Sequence, residues 1–438
     1  MLNVVKGDPA TLRRTIDELK SRIGLASPEV EASVRKILDR VRTEGDLAVQ
    51  AFSKQFDGWA PERLEVTQEE IDRAVSACDP ALLDSMEKAA ENIRAFHRRQ
   101  LQQSRIDPQP GGIITGQRVR ALHRVGLYVP GGTAPLFSSV LMNAIPAKVA
   151  GVKEIVMATP PGRDGQPNPA ILAAARIAGV DRVFLMGGAQ AIAALAFGTE
   201  SVPKVDKIVG PGNIYVATAK KQVFGLVDID MIAGPSEILV LADDSADPDY
   251  LAADLMSQAE HDRMASAILL TPSEELAQQT VASLERQVKA LSRREIIEES
   301  LERFGAVIVC GNMDQAVDFA NELAPEHLEV CCRDPFGYLG RLDNVGSLFL
   351  GNYAPEPLGD YYAGANHVLP TGGTARFFSP LSVDDFIKKS SYIYYPKDEL
   401  LAAAEHIIRL AENEQLTAHA NSIKVRVEKE GGADGSAQ

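Results

Sequence analysis

Cysteine is scarce, with four residues in 438. Two of them are the neighbours Cys331 and Cys332, and the set shows neither CxxC spacing nor the density of a disulfide scaffold. A disulfide framework is therefore excluded and reduced thiols are expected. Long apolar runs are also lacking. No stretch reaches the roughly 18 uninterrupted apolar residues of a membrane span. Met1 to Lys20 is charged and broken by Pro9, where a secretory leader would carry an apolar core. A soluble, cytoplasmic protein is the expectation. Positive charge is in deficit as well: Lys and Arg number 45 against 60 Asp and Glu, a formal charge of −15. With no basic cluster to offset this, nucleic acid and anionic membrane are poor partners. Length is what the chain has in abundance, enough for two or three domains at roughly 100 to 200 residues each.

Helical periodicity dominates the first hundred residues. Ser27 and Pro28 form an N-cap and first helical position, and Val30, Val34, Ile37, Leu38 and Val41 recur at helical spacing. Thr67 and Glu70 make a capping-box pair, and Pro80 to about Arg99 reads as a further helix. Asp107 to Gly112 then punctuates the chain ahead of a hairpin or short strands. From Arg124 to about Asp243 short apolar strands alternate with helices, which predicts a parallel sheet covered on both faces, doubly wound. A helix from Pro248 to about Met264, strand Ala267 to Leu270, helix Glu274 towards Leu291 and strand Ala306 to Cys310 suggest a second α/β unit. Residues 352–373, rich in Gly and Pro, read as one long functional loop. Helices near Glu399 to Glu412 and around Thr417 precede a Gly-rich tail expected to be disordered.

Several constellations could carry chemistry. Glu326 and His327, after Pro325, place a carboxylate beside an imidazole, two groups able to serve successive proton transfers. Adjacent Glu-His pairs also occur on ordinary surfaces. Gln258 and His261, three apart on the helix begun at Pro248, could converge on one metal ion. Further ligands must come from Asp360, His367 or His419, and spacing alone does not choose among them. Glycine-bearing strand-to-helix junctions follow Tyr128 (Val129-Pro130-Gly131-Gly132-Thr133) and Val209 (Gly210-Pro211-Gly212-Asn213), with a third at Gly187-Gly188-Ala189-Gln190. Each could present backbone N–H groups to a dinucleotide phosphate, although none is the G-x-G-x-x-G fingerprint. Ser236, in the tight turn Ala233 to Glu237, could bind a substrate polar group or simply cap the turn. Cys331 and Cys332 raise a rival chemistry, a thiolate forming a thiohemiacetal with an aldehyde, which their apolar flank disfavours. A zinc hydrolase and a metabolite-binding protein are the alternatives from other classes.

The chain resembles the histidinol dehydrogenase family over nearly its whole length. The resemblance rests on Gly126 to Gly132, Gly187 to Ala196, Ala233 to Glu237, Gln258 to Asp262, Ala324 to Leu328 and Asn366 to Thr371, in family order. It implies two Rossmann-like parallel-sheet domains, one inserted in the other, with small helical N- and C-terminal segments. The implied boundaries are 1–23 for the N-terminal segment, 24–125 with 238–380 for the discontinuous domain, and 126–237 for the inserted NAD-binding domain. Residues 381–430 would form the C-terminal segment reaching a partner subunit, and 431–438 a disordered tail. The resemblance further implies a zinc ion held by Gln258, His261, Asp360 and His419, the last from the other subunit of a homodimer. Substrate contacts carry over to Ser236, His327, Glu414 and the same zinc ligands, NAD contacts to Tyr128, Gln190 and Asn213, and catalysis to Glu326 and His327. The implied substrate is L-histidinol, oxidised through L-histidinal to L-histidine with two NAD.

Overall fold

The computed structural model describes residues 2–20, 27–59, 62–131, 136–162 and 165–431. Gly132 and Thr133 of the first glycine junction, part of the expected loop at 160–169, residues 21–23 and the tail from 432 lie outside the described residues. The amino-terminal part comprises β1 (Asn3–Val5), α1 (Pro9–Lys20), α2 (Pro28–Glu44), α3 (Asp46–Asp57), α4 (Gln68–Ala77) and α5 (Pro80–Arg98). Strands β2 (Arg105–Pro108) and β3 (Ile114–Ala121) follow. Strict alternation then begins with β4 (Arg124–Tyr128), α6 (Phe137–Ala150), β5 (Glu154–Thr159), α7 (Pro169–Ala178) and β6 (Arg182–Leu185). It continues with α8 (Gly188–Phe197), β7 (Lys207–Val209), α9 (Ile214–Val223) and β8 (Asp228–Ile229). The next stretch holds β9 (Glu237–Ala242), α10 (Pro248–Ala259), β10 (Ser266–Thr271), α11 (Glu274–Gln287), α12 (Arg294–Phe304) and β11 (Ala306–Val309). The last elements are α13 (Met313–Leu323), β12 (His327–Cys331), α14 (Phe336–Leu339), β13 (Ser347–Leu350), α15 (Glu356–Tyr361), β14 (Ile387–Tyr394), α16 (Lys397–Asn413) and α17 (Thr417–Gly431).

The chain divides into two compact units: Met1–Leu101 with Ala121–Phe386, and Gln102–Arg120 with Ile387–Gln438. The first holds two parallel sheets. One is five-stranded, in the order β6-β5-β4-β7-β8, and the other six-stranded, in the order β1-β11-β10-β9-β12-β13. Their strands are nearly all apolar because both faces are covered by helices. The alanine-rich α8 is buried along almost its whole length in a core it shares with α2, whose polar positions face outward. Caps set the helix starts. Thr67 and Glu70 form the expected reciprocal capping box at α4, and Asp247 accepts from the Asp249 N–H at α10.

In each sheet the strand order reverses direction at one point: between β4 and β7 in the five-stranded sheet, and between β9 and β12 in the six-stranded one. Outside the carboxyl ends of the strands a crevice forms where neighbouring crossovers leave to opposite sides, which is where open α/β sheets bind ligands. Residues 230–236 tie the carboxyl end of β8 to the amino end of β9, so the chain passes from the carboxyl edge of the five-stranded sheet to the amino edge of the six-stranded one.

The second unit contains the sheet β14-β3-β2, with β2 and β3 antiparallel, together with α16 and α17. Four local expectations are corrected. The amino-terminal segment is not purely helical, since β1 adds to the edge of the six-stranded sheet by pairing with β11. Helix α10 ends at Ala259, short of Met264. The long loop contains α15, and the segment after it contains the eight-residue strand β14.

Candidate active site

The abrupt turn before β12 sets the geometry of the Glu-His pair. Helix α13 is closed by Ala324 in a left-handed conformation (φ 50), costly for a residue with a Cβ, and Pro325, which has no N–H to continue the helix, follows. Glu326 and His327 emerge almost fully buried. One residue across the sheet, Glu237 at the start of β9, holds both. Its N–H donates to Glu326 Oε2 at 2.8 Å, and its carbonyl lies 3.0 Å from His327 Nδ1. A carbonyl oxygen only accepts, so Nδ1 carries the proton and Nε2 is left as a proton acceptor. Nε2 is buried without a hydrogen-bond partner among the described residues, 4.0 Å from an Asp360 carboxylate oxygen.

Burial dominates the proton affinities here. It pushes His327 down to about 4, against the pull of the Asp360 charge and the Glu237 carbonyl. The imidazole is therefore neutral near pH 7 and available as a base. Burial drives Glu326 the other way, well above the usual carboxylate range, despite the Glu237 N–H that favours its ionised form. The Glu237 carboxyl is itself pushed up to about 7 by burial, opposed by N–H groups of Gly372 and Glu326.

A second cluster lies beside this pair. His261, Glu356 and Asp360 each present a ligand atom within 4.8 Å of the others. Asp360 is carried by α15, and Gly359 before it is required by packing: a Cβ there would come 2.5 Å from the Phe349 ring, which in turn lies 6.0 Å from the His327 ring. His367 Nδ1 donates to the Asp360 carbonyl at 3.1 Å and sits 3.6 Å from its carboxylate. Burial opposes ionisation of Asp360, but His367, His327 and Glu356 together outweigh it and hold Asp360 well below the usual range. Glu356 is the reverse case, pushed up to about 10 by burial and by the Asp360 charge.

Gln258 is completely buried, and both of its amide atoms are without a partner among the described residues. Leaving such groups unpaired costs on the order of 1–3 kcal/mol each, so their persistence points to a ligand. Nitrogen and oxygen donors of this kind suit zinc. His261 does not share a helical face with Gln258 as expected, because α10 has ended. It follows in a turn whose N–H bonds the Gln258 carbonyl at 3.1 Å, and its side chain is exposed.

At the switch point of the five-stranded sheet, the Tyr128 hydroxyl is buried and accepts the Gly188 N–H at 3.1 Å, bracing the start of α8. Gln190 is buried on the first turn of α8 with its Oε1 unpartnered. Asn213 caps α9, its Oδ1 accepting from Tyr215 and Val216 N–H groups, and is exposed.

The sequence profile of histidinol dehydrogenase matches residues 20–427. The chain belongs to the histidinol dehydrogenase family. It is 53% identical over 426 residues to histidinol dehydrogenase of Clostridium acetobutylicum, covering 97% of this chain and 99% of that protein. The Listeria monocytogenes serovar 1/2a enzyme is 52% identical over 421 residues, with 96% and 98% covered. A crystal structure of histidinol dehydrogenase from Elizabethkingia anophelis superposes with a TM-score of 0.92 at 38% identity, over 98% of this chain and 99% of that one.

Of the residues expected to form the site, the fold brings together Glu326, His327, Asp360 and His261, with Ser236 next to Glu237 in the partly buried turn before β9. Glu414 and His419 lie in the second unit, exposed at the end of α16 and the first turn of α17, where Gln415 turns the chain with φ 61. Sequence reasoning missed Glu356, whose one signal is an acidic residue after proline at a helix start. It also missed the backbone of Glu237, which no side-chain motif can reveal. The thiolate alternative fails on the histidinol dehydrogenase fold. Cys331 and Cys332 are buried, and burial, reinforced by neighbouring carboxylates, pushes Cys332 up to about 12 and Cys331 higher. No helix among the described residues is long and apolar enough to cross a membrane.

Proposed function

We propose that the chain oxidises L-histidinol through L-histidinal to L-histidine, with NAD bound beside Gln190 and Asn213 and zinc held by Gln258, His261, Asp360 and His419 of the partner subunit. The observation that carries this reading is His327: a buried neutral imidazole whose Nδ1 is committed to the Glu237 carbonyl and whose Nε2 is unpartnered beside Asp360. When bound, zinc anchors the nitrogens of the substrate so that its reacting carbon is fixed, and NAD accepts the hydride at each oxidation.

His327 Nε2 takes the hydroxyl proton as the carbinol C–H electron pair departs as hydride, leaving the aldehyde. Ionised Glu326, held by the Glu237 N–H, then removes a proton from water as the water oxygen bonds the aldehyde carbon, and His327 returns its proton to the carbonyl oxygen to give the hydrate. The hydrate loses a second hydride, His327 again accepting the hydroxyl proton, and the carboxylate product forms. Two hydrides leave as two NADH, and three protons are released overall. Ser236, at the turn before β9, and Glu414 of the partner subunit would orient the substrate's polar ends.

The test is NADH formation from L-histidinol and NAD, repeated after chelation and after zinc is returned. Two NADH per histidinol, lost on chelation and restored by zinc, are expected; zinc-independent turnover would sink the metal assignment. The shared site is tested by mixing His261→Ala and His419→Ala homodimers under subunit exchange. A mixed dimer regains one intact site if both chains contribute, and no recovery despite exchange would place all ligands within one chain.

A further inference from the structure

An ion pair that none of the catalytic or ligand assignments uses lies at the switch point of the five-stranded sheet. Lys220 on α9 and Asp230 just beyond β8 have side chains only 2% and 1% exposed, and they contact each other directly. Both also grip one residue, each through a different one of the two peptides that meet at Gly210. Lys220 Nζ donates to the Gly210 carbonyl at 2.9 Å, while Asp230 Oδ2 accepts the Gly210 N–H at 2.8 Å. Asp230 Oδ1 additionally accepts the Met231 N–H at 2.6 Å. Gly210 is where β7 closes against β4. Its φ is +114, and a Cβ there would come 2.1 Å from the Tyr128 carbonyl oxygen. Pro211, Gly212 and Asn213 then lead directly into α9.

Net stability is a poor account of such a pair, because desolvating two charges offsets most of their attraction, and apolar replacements are often neutral or better. What the pair does supply is direction. Opposite charges on the two polar groups of the Gly210 residue permit one orientation of this backbone and oppose the flipped one. We propose that Lys220 and Asp230 are positioning residues for the dinucleotide, clamping Gly210 so that the Val209–Asn213 turn and the start of α9 are preformed to receive it. The inference rests on the proposed NAD site at Asn213. The clamp also anchors the first residues of the link 230–236, whose far end runs into Ser236 and Glu237.

The experiment uses the zinc-loaded enzyme and compares Lys220→Met/Asp230→Asn, which leaves no lone buried charge, with wild type and with Asn213→Ala. NAD affinity is measured by calorimetry, and KM for NAD, KM for histidinol, kcat at saturating NAD, zinc content and Tm are measured alongside. The clamp predicts that KM and Kd for NAD rise about tenfold or more, while KM for histidinol and zinc content stay within about twofold. Asp230→Asn alone, which keeps the shape and one acceptor, is expected to raise KM for NAD by about threefold and answers the question if the double variant does not fold. An unchanged KM for NAD, or an equal rise in both KM values, overturns the clamp. Asn213→Ala separates the two claims. If it weakens NAD binding and the clamp variants do not, the clamp alone fails; if it leaves NAD binding intact, the site reading and the clamp fall together.

Discussion

The two buried polar clusters joined by residues 230–236 are completed in opposite ways. At the carboxyl edge of the five-stranded sheet, Lys220, Asp230 and both backbone polar groups of Gly210 satisfy one another. At the amino edge of the six-stranded sheet, His327 Nε2 and both amide atoms of Gln258 are buried with no partner among the described residues. A closed network rigidifies the backbone and asks nothing of a ligand. Unpaired buried groups carry a standing cost and are strongest where something else completes them. The contrast separates groups that position backbone from groups left open to a ligand, and Gln190, whose buried Oε1 has no partner among the described residues at the carboxyl edge of the five-stranded sheet, belongs with the second kind.

Three substitutions or titrations sharpen this contrast, beginning with the largest effect. His327→Asn keeps a donor towards the Glu237 carbonyl but removes the Nε2 acceptor, so kcat for histidinol should fall by roughly 10²- to 10⁴-fold with zinc content and fold intact. Wild-type turnover in that variant would remove the base assignment. Glu326→Gln retains an acceptor for the Glu237 N–H and loses the base for water. Oxidation of added L-histidinal should slow by roughly 10²-fold at neutral pH, and full activity on the aldehyde would end that role.

The smallest effect concerns stability in the metal-free protein. The folded-state affinity of His327, about 4, lies below the ordinary His value near 6.5. The unfolded chain therefore binds more protons between these pH values, and stability falls as pH drops through that window. The full shift corresponds to on the order of 3 kcal/mol. His327→Asn should flatten this limb of the denaturation profile, and an unchanged slope would show that other groups control it.

Much of the fold and part of the site were legible in the sequence, and the remainder was hidden for identifiable reasons. Capping chemistry is local, so Thr67 with Glu70 and Asp247 with Pro248 marked helix starts that the fold keeps. Strands buried on both faces give continuous apolar runs, which is why β4, β5 and β9 were visible. Strand β14 was not, because Lys388 to Tyr394 is exposed throughout and its pattern carries no alternation. Helix α15 is six residues long and contains Pro357 and Gly359, so propensity argued against it. Among site residues, Glu326, His327 and Asp360 could be singled out by type and neighbours. Glu356 could not, because only tertiary packing buries it beside Asp360. The roles of Lys220 and Asp230 were equally invisible, for a lysine on an amphipathic helix ordinarily reads as a solvated face.

Gln258 offers the most direct measurement. Replaced by Met, of similar length but without polar atoms, it removes two unpaired buried groups and one metal ligand in a single change. Zinc uptake and metal-free Tm are measured on the same preparation. The account predicts that the metal-free variant melts at or above wild type, by a few degrees at most, while zinc affinity drops by tenfold or more, at least about 1.4 kcal/mol. A variant that binds zinc as wild type does, and melts lower, would contradict the claim that the unpaired polarity at this edge exists for a metal.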